Sequence, residues 1–174
     1  MKFNRRWAMP SKSTFTIKPI QELLMKYDVG KGWIDPFAGW NSTAEFTNDI
    51  NIESPAEFHL EASDFVNQYI GRREFDGALF DPPYSPRQIT ENYRAVGVSV
   101  TSLMTSSNFY RLVKRPLAAV IKPGGYCISF GWNSNGMGKG LGFEIIEIML
   151  VAHGAGHNDT ICIVEKKEAE DEDD

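Results

Sequence analysis

The sequence predicts an α/β fold, a doubly wound and mostly parallel sheet with helices on both faces, ending in an antiparallel hairpin. Three observations predict it. Short apolar runs alternate with stretches of helical spacing, which is the pattern of strand–helix–strand units. Four of those runs end at or just before an acidic residue, and three of the four acids are flanked by proline or an aromatic. The last two runs, β-branched and apolar, are joined by Gly154, Gly156 and Asn158, the residues of a hairpin connection.

Taken in order, residues 17–27 carry Ile20, Leu23, Leu24 and Tyr27 at helical spacing, with Pro19 tolerated in a first turn. Strands are expected at 32–37, 44–50, 57–61 and 76–80, the last running straight into Asp81. Helices are expected at 64–70 and 109–121. Lys122-Pro123-Gly124-Gly125 is a turn sequence, after which 126–130 reads as a fifth strand. The hairpin pairs 143–152 with 160–165 at the sheet's edge. Trp33 and Trp132, in or beside strands, read as core, and 85–108 is one polar stretch.

With 174 residues, 42% apolar and 24% charged, the chain suits one domain, taken as residues 1–167. It has no segment long enough for a separate target-recognition domain. Residues 168–174 hold six of the 23 acids and read as a disordered tail; the chain before them carries 17 acids against 18 bases, so it is near neutral. No run approaches the roughly 18 apolar residues that cross a bilayer, and the basic, aromatic start lacks a leader's apolar stretch. A cytoplasmic protein with no membrane partner is expected. Cys127 and Cys162 lie in alternating apolar runs and are expected as buried free thiols, with no metal.

In a sheet of this kind ligands bind outside the carboxyl ends of the strands. The acids collect there: Asp35-Pro36-Phe37-Ala38-Gly39 after the first strand, Asp49 after the second, Asp64-Phe65 after the third and Asp81-Pro82-Pro83-Tyr84 after the fourth. One acid in such a place is usually a helix cap or turn former, and Phe65 reads equally well as core. Four in succession suggest a site. Two prolines fix φ and remove two donors, leaving a rigid turn whose carbonyls face outward as acceptors. Such a turn can hold an amino group. His59 reads as a surface or packing residue, and His157, Asn158 and Asp159 read as residues of the hairpin turn.

These motifs resemble those of the amino-group methyltransferases of DNA, whose first motif is commonly Asp-Pro-Phe-x-Gly-x-Gly and whose catalytic motif is Asp-Pro-Pro-Tyr. Asp81 through Gln88 and His153 through Thr160 are similar to the short phage-type, adenine-specific enzymes. The resemblance implies the Rossmann-like class I fold, S-adenosylmethionine as methyl donor, adenine in DNA as target and the host cytoplasm as location. Cofactor contacts would fall to Phe15, Asp35, Pro36, Phe37, Ala38, Gly39, Asp49, Asp64 and Phe65. Asp81, Pro82, Pro83 and Tyr84 would form the catalytic turn. The opening around Met9-Pro10 and Phe15 would close over the cofactor's methionine end, Asp49 would take the ribose, and Asp64 the adenine amino group. Trp40 and Asn41 depart from the usual Ser-Gly. DNA is favoured over RNA as partner, with a second copy or a separate recognition subunit supplying sequence reading. An RNA-base or protein-glutamine methyltransferase, or a noncatalytic binding protein of the same fold, are the alternatives.

Overall fold

The computed structural model describes residues 1–97, 99 and 108–169. Seven strands form one sheet: β1 (Lys2–Trp7), β2 (Trp33–Asp35), β3 (Phe46–Thr47), β4 (Phe75–Phe80), β5 (Ile121–Gly131), β6 (Phe143–Ala152) and β7 (Thr160–Lys167). Their order is β1-β6-β7-β5-β4-β2-β3. The β3-β2-β4-β5 half is parallel, and β7 enters antiparallel between β5 and β6. The helices are α1 (Lys18–Lys26), α2 (Ala62–Asn67), α3 (Pro86–Ala95) and α4 (Asn108–Val120).

Alternation along β4 and β5 divides the core into two layers. Ala78, Phe80 and Cys127 face α2 and α4 through Phe65, Val66, Val113 and Leu117. Leu79, Ile128 and Phe130 face α1 through Ile20, Leu23 and Leu24. Because successive strand residues point to opposite faces, both faces must be covered, and they are. Helix α1 presents Ile20, Leu23 and Leu24 at the spacing that stacks one helical face, and ends where Asp28 turns at φ 50. Both cysteines are buried free thiols. No helix among the described residues is long and apolar enough to cross a membrane.

Four expectations need correction. The hairpin is not the sheet's edge: β1 lies outside it, parallel to β6 from Lys2↔Glu147 to Trp7↔Ala152. All six residues of β1 are exposed, so burial imposed no alternation for the sequence to display. Residues 57–61 form no strand beyond a single bridge between Asn48 and Phe58. The buried Asn48 side chain takes the place of the ladder there. Its amide donates to the carbonyls of Pro36 and Leu60 at 3.2 and 3.0 Å and accepts the Leu60 N–H at 2.8 Å. Losing three buried partners at once should cost Asn48→Ala about 3 kcal/mol of stability, read by urea denaturation.

The polar stretch at 85–108 contains helix α3. Its apolar face is only Ile89 and Tyr93, which meet Phe109 of α4. Ser85 caps its start by accepting the Gln88 N–H at 3.2 Å, and Pro86 sits in the first turn. The rest of that stretch, 98 and 100–107, lies outside the described residues, as does the tail from 170 onward. Lastly, Trp132 is not core but stands 42% exposed just beyond β5.

Candidate functional site

The carboxyl ends of β2, β3 and β4 open into a cavity of about 1140 Å³. Of the residues expected at a site, Pro36, Phe37, Gly39, Asp49, Asp81, Pro82, Pro83 and Tyr84 line it. Phe15, Asp35, Ala38, Asp64 and Phe65 do not. Phe15 is buried edge-to-face against Phe130 at 5.4 Å, and Thr14 and Ile17 beside it reach the cavity instead. Phe65 is wholly buried among Phe58 and Tyr69. Asp64 is exposed in the first turn of α2.

Asp35 is buried beneath the loop it shapes. Its oxygens accept the Phe37 N–H at 3.0 Å and the Ser42 hydroxyl at 2.6 Å. Desolvation outweighs both bonds and pushes its carboxyl up to about 7, with Asp81 and Asp49 adding repulsion. A folded pKa above the unfolded value near 3.8 means that the folded chain holds a proton the unfolded chain has released. Stability attributable to Asp35 therefore falls as pH rises from about 4 to about 7, and Asp35→Asn should flatten that decline in denaturation curves taken across this window.

The loop above Asp35 turns at Gly39, whose φ is 56. Asn41 and Trp40 keep ordinary negative φ, so the turn depends on Gly39 alone among residues 35–42. Asn41 instead donates to the Ser13 hydroxyl at 2.8 Å, tying the loop to the N-terminal segment, and Trp40 forms cavity wall. Asp49 holds the turn from the other side. Its Oδ2 accepts the Gly39 N–H at 2.9 Å and its Oδ1 the Asn51 N–H at 2.8 Å. Each oxygen keeps a lone pair for a ligand hydroxyl.

Where Asp64 was expected to meet a ligand, the geometry offers Glu61. It does not itself line the cavity but lies between Leu60 and Ala62, which do. Its Oε1 is buried without a partner, the Tyr93 hydroxyl bonds to the carboxylate, and burial raises its pKa. A buried acceptor left open is costly unless something fills it. Helix α2 spans Ala62–Asn67 rather than the expected 64–70, which leaves Asp64 on its exposed side and Glu61 at its N-terminal boundary.

The Asp81 to Tyr84 turn closes the other end of the cavity. Asp81 Oδ1 accepts the Tyr84 hydroxyl at 2.6 Å, and Thr14 bonds to the same carboxylate. Burial pushes Asp81 up to about 6 in spite of those bonds. Tyr110 of α4 donates to the Pro83 carbonyl at 2.6 Å and so buttresses the turn from behind. The Pro82 carbonyl has no such partner among the described residues. Tyr84 is fixed by Gln88, which accepts its N–H at 2.6 Å, and meets Trp132 edge-on at 5.4 Å. His157 and Asn158 line the cavity's far wall, while Asp159 accepts the His153 N–H at 3.1 Å. His59 is exposed, as expected.

Solved structures share this architecture. TrmN from Thermus thermophilus superposes with a TM-score of 0.54 at 17% identity, over 87% of this chain and 49% of its own. The chain thus spans about half of TrmN's length. A 1,6-didemethyltoxoflavin-N1-methyltransferase from Burkholderia thailandensis, solved with 1,6-didemethyltoxoflavin and S-adenosylhomocysteine, superposes at 0.59 with 12% identity over 90% of this chain and 80% of its own. HI0767 of Haemophilus influenzae, provisionally named a methylase, does so at 0.52 with 13% identity over 87% and 95%. The chain has the class I methyltransferase fold. At these identities the likeness speaks to the fold alone. No family model matches the sequence, and no curated protein does. Within the class I methyltransferase fold β1 is an added edge strand, and the remaining six keep a parallel half that ends at the cavity.

Proposed function

We propose that the chain transfers the methyl group of S-adenosylmethionine to the exocyclic amino group of a nucleic-acid base, adenine in DNA being the first substrate to test. The observation that carries this reading is the Asp81-Pro82-Pro83-Tyr84 turn: its Asp81 carboxylate, and a Pro82 carbonyl that meets no donor among the described residues, stand at one end of a cavity that Gly39 and Asp49 also line, with Glu61 between the lining residues Leu60 and Ala62. The cofactor fits beside these last residues. Gly39 leaves the backbone open to its methionine part, Asp49 can accept from ribose hydroxyls, and the orphaned Glu61 oxygen can accept from an adenine amine.

When bound, S-adenosylmethionine supplies a methyl group on a sulfonium. The chain's own residues prepare the acceptor. An aromatic amine is a weak nucleophile because its lone pair is delocalised, so both its hydrogens must be held while the lone pair is turned out of the ring plane. Asp81 and the Pro82 carbonyl hold them, and Tyr84 offers a ring face to a base brought out of its stack. The N–C bond forms as the S–C bond breaks, and the amine proton passes to Asp81 or water. Asp81, rather than Ser, favours adenine over cytosine on the strength of the resemblance.

The toxoflavin enzyme's fused heterocycle supports a second reading, a free small nitrogen heterocycle as acceptor. Transfer of labelled methyl from the cofactor to DNA, RNA, protein and free nucleosides, followed by nucleoside analysis, separates the two. Label in DNA recovered as a methylated adenine supports the first reading, and label only on free heterocycles refutes it.

A further inference from the structure

On the opposite side of Tyr84 lies a second cavity of about 720 Å³, which shares Pro82, Tyr84 and Trp132 with the first. Its size is that of a small-ligand pocket. One wall is the face of α4 that carries Arg111, Lys114 and Arg115 at helical spacing, and no acid among the described residues lines the cavity. Lys114 is committed: it donates to the Gly136 carbonyl and faces Glu165, whose oxygens accept the Met137 and Gly138 N–H groups at 2.6 and 2.8 Å. Arg111 and Arg115 are exposed and form no ion pair among the described residues.

Four other basic residues are engaged elsewhere. Arg6 pairs with Glu22 at 2.9 Å, Arg87 with Glu91 at 2.7 Å, and Lys122 with Asp76. Arg73 lies over the Phe46 ring at 4.1 Å. Free guanidinium groups thus meet an exposed aromatic beside the catalytic turn. Guanidinium forks suit phosphate oxygens, and an exposed indole suits the face of any base.

We propose that this second cavity receives the nucleotide next to the one being methylated, its base on Trp132 and its phosphate between Arg111 and Arg115. The assignment rests on the nucleic-acid reading above and names where the strand runs past the catalytic turn. Trp132 stands between the two cavities, so a base stacked on it leaves its neighbour free to reach Asp81.

The test is binding of a fluorescent single-stranded oligonucleotide by the full chain across a salt series, alongside methyl transfer and cofactor affinity. Arg111→Ala/Arg115→Ala should weaken binding at least about tenfold at low salt and lower the slope of log K against log salt by about 0.7, the value for one phosphate of a single strand. Trp132→Ala should weaken binding roughly tenfold or more with the slope unchanged, and Trp132→Phe should restore most of the loss. Unchanged cofactor affinity in each variant shows that it folds. An arginine double variant with wild-type affinity and salt slope overturns the proposal; if it also methylates at the wild-type rate, the methylation reading stands without it. A wild-type chain that binds with this arginine and tryptophan dependence yet transfers no methyl supports the cavity and refutes the methylation reading. Failure to bind any oligonucleotide overturns both.

Discussion

Replacing Asp81 by alanine is expected to lower methyl transfer by at least about a hundredfold, with cofactor affinity changed less than about threefold. The proposal gives the Asp81 to Tyr84 turn to the target amine and Gly39 and Asp49 to the cofactor, so turnover and cofactor binding should separate. Its acceptor role also fixes a pH dependence. Burial holds Asp81 up to about 6, so the carboxylate form is lost as pH falls through that value. Single-turnover rates should rise through about pH 6 and then level, and Asp81→Asn should lose that limb. The same desolvation predicts an opposite effect on stability. A carboxylate whose folded pKa is raised costs stability above that pKa, so Asp81→Asn should melt higher than the wild type at neutral pH while turning over far more slowly. A folded Asp81→Ala protein with near wild-type turnover would remove the turn from the reaction.

What the sequence disclosed depended on what burial forced it to show. Strands β4 and β5 lie between two packed layers, so their apolar runs were unmistakable, and so were Ile20, Leu23 and Leu24 of α1. Strand β1 buries no residue, and its pairing with β6 defines it. No hydropathy pattern could announce it. Helix α3 buries Ile89 and Tyr93 and little else, and its local signs, Ser85 as cap and Pro86 in the first turn, are also turn chemistry. Residues 57–61 read as a strand because Phe58 and Leu60 alternate with polar residues, yet backbone pairing stops at Phe58, which bonds to Thr47 and Asp49, and at Leu60 the Asn48 side chain takes both hydrogen bonds.

The site divides along the same line. Residues whose role is set by backbone geometry were legible: the Gly39 turn, and the two prolines after Asp81. Residues whose role depends on which way a helix faces were not. Asp35 was recognisable as an important acid, but not as one sealed under its loop and bonded to Ser42. Trp132 carried the composition of a core residue, and only its place past the end of β5 turns it to the surface between two cavities.

The cofactor end allows the resemblance and the geometry to be set against each other. Asp49→Ala removes the acceptor for the Gly39 and Asn51 N–H groups as well as the proposed partner of the ribose. Hydrogen bonds to a charged group contribute about 1.5–3 kcal/mol each, so calorimetry with S-adenosylhomocysteine should show affinity lowered by roughly a hundredfold or more. Asp64 is the resemblance's choice for the adenine amine, and on that basis Asp64→Ala would weaken binding ten- to a hundredfold. The exposed position of Asp64, outside the cavity, argues for a change of less than about threefold. Glu61→Gln retains one acceptor oxygen but loses the charge, and should weaken binding by roughly tenfold, since the amine would meet a neutral amide in place of a carboxylate. The three variants read together decide the matter. If Asp64→Ala loses binding while Glu61→Gln keeps it, helix α2 must present a different face to the cofactor than it does here, and the open oxygen of Glu61 is then no ligand site.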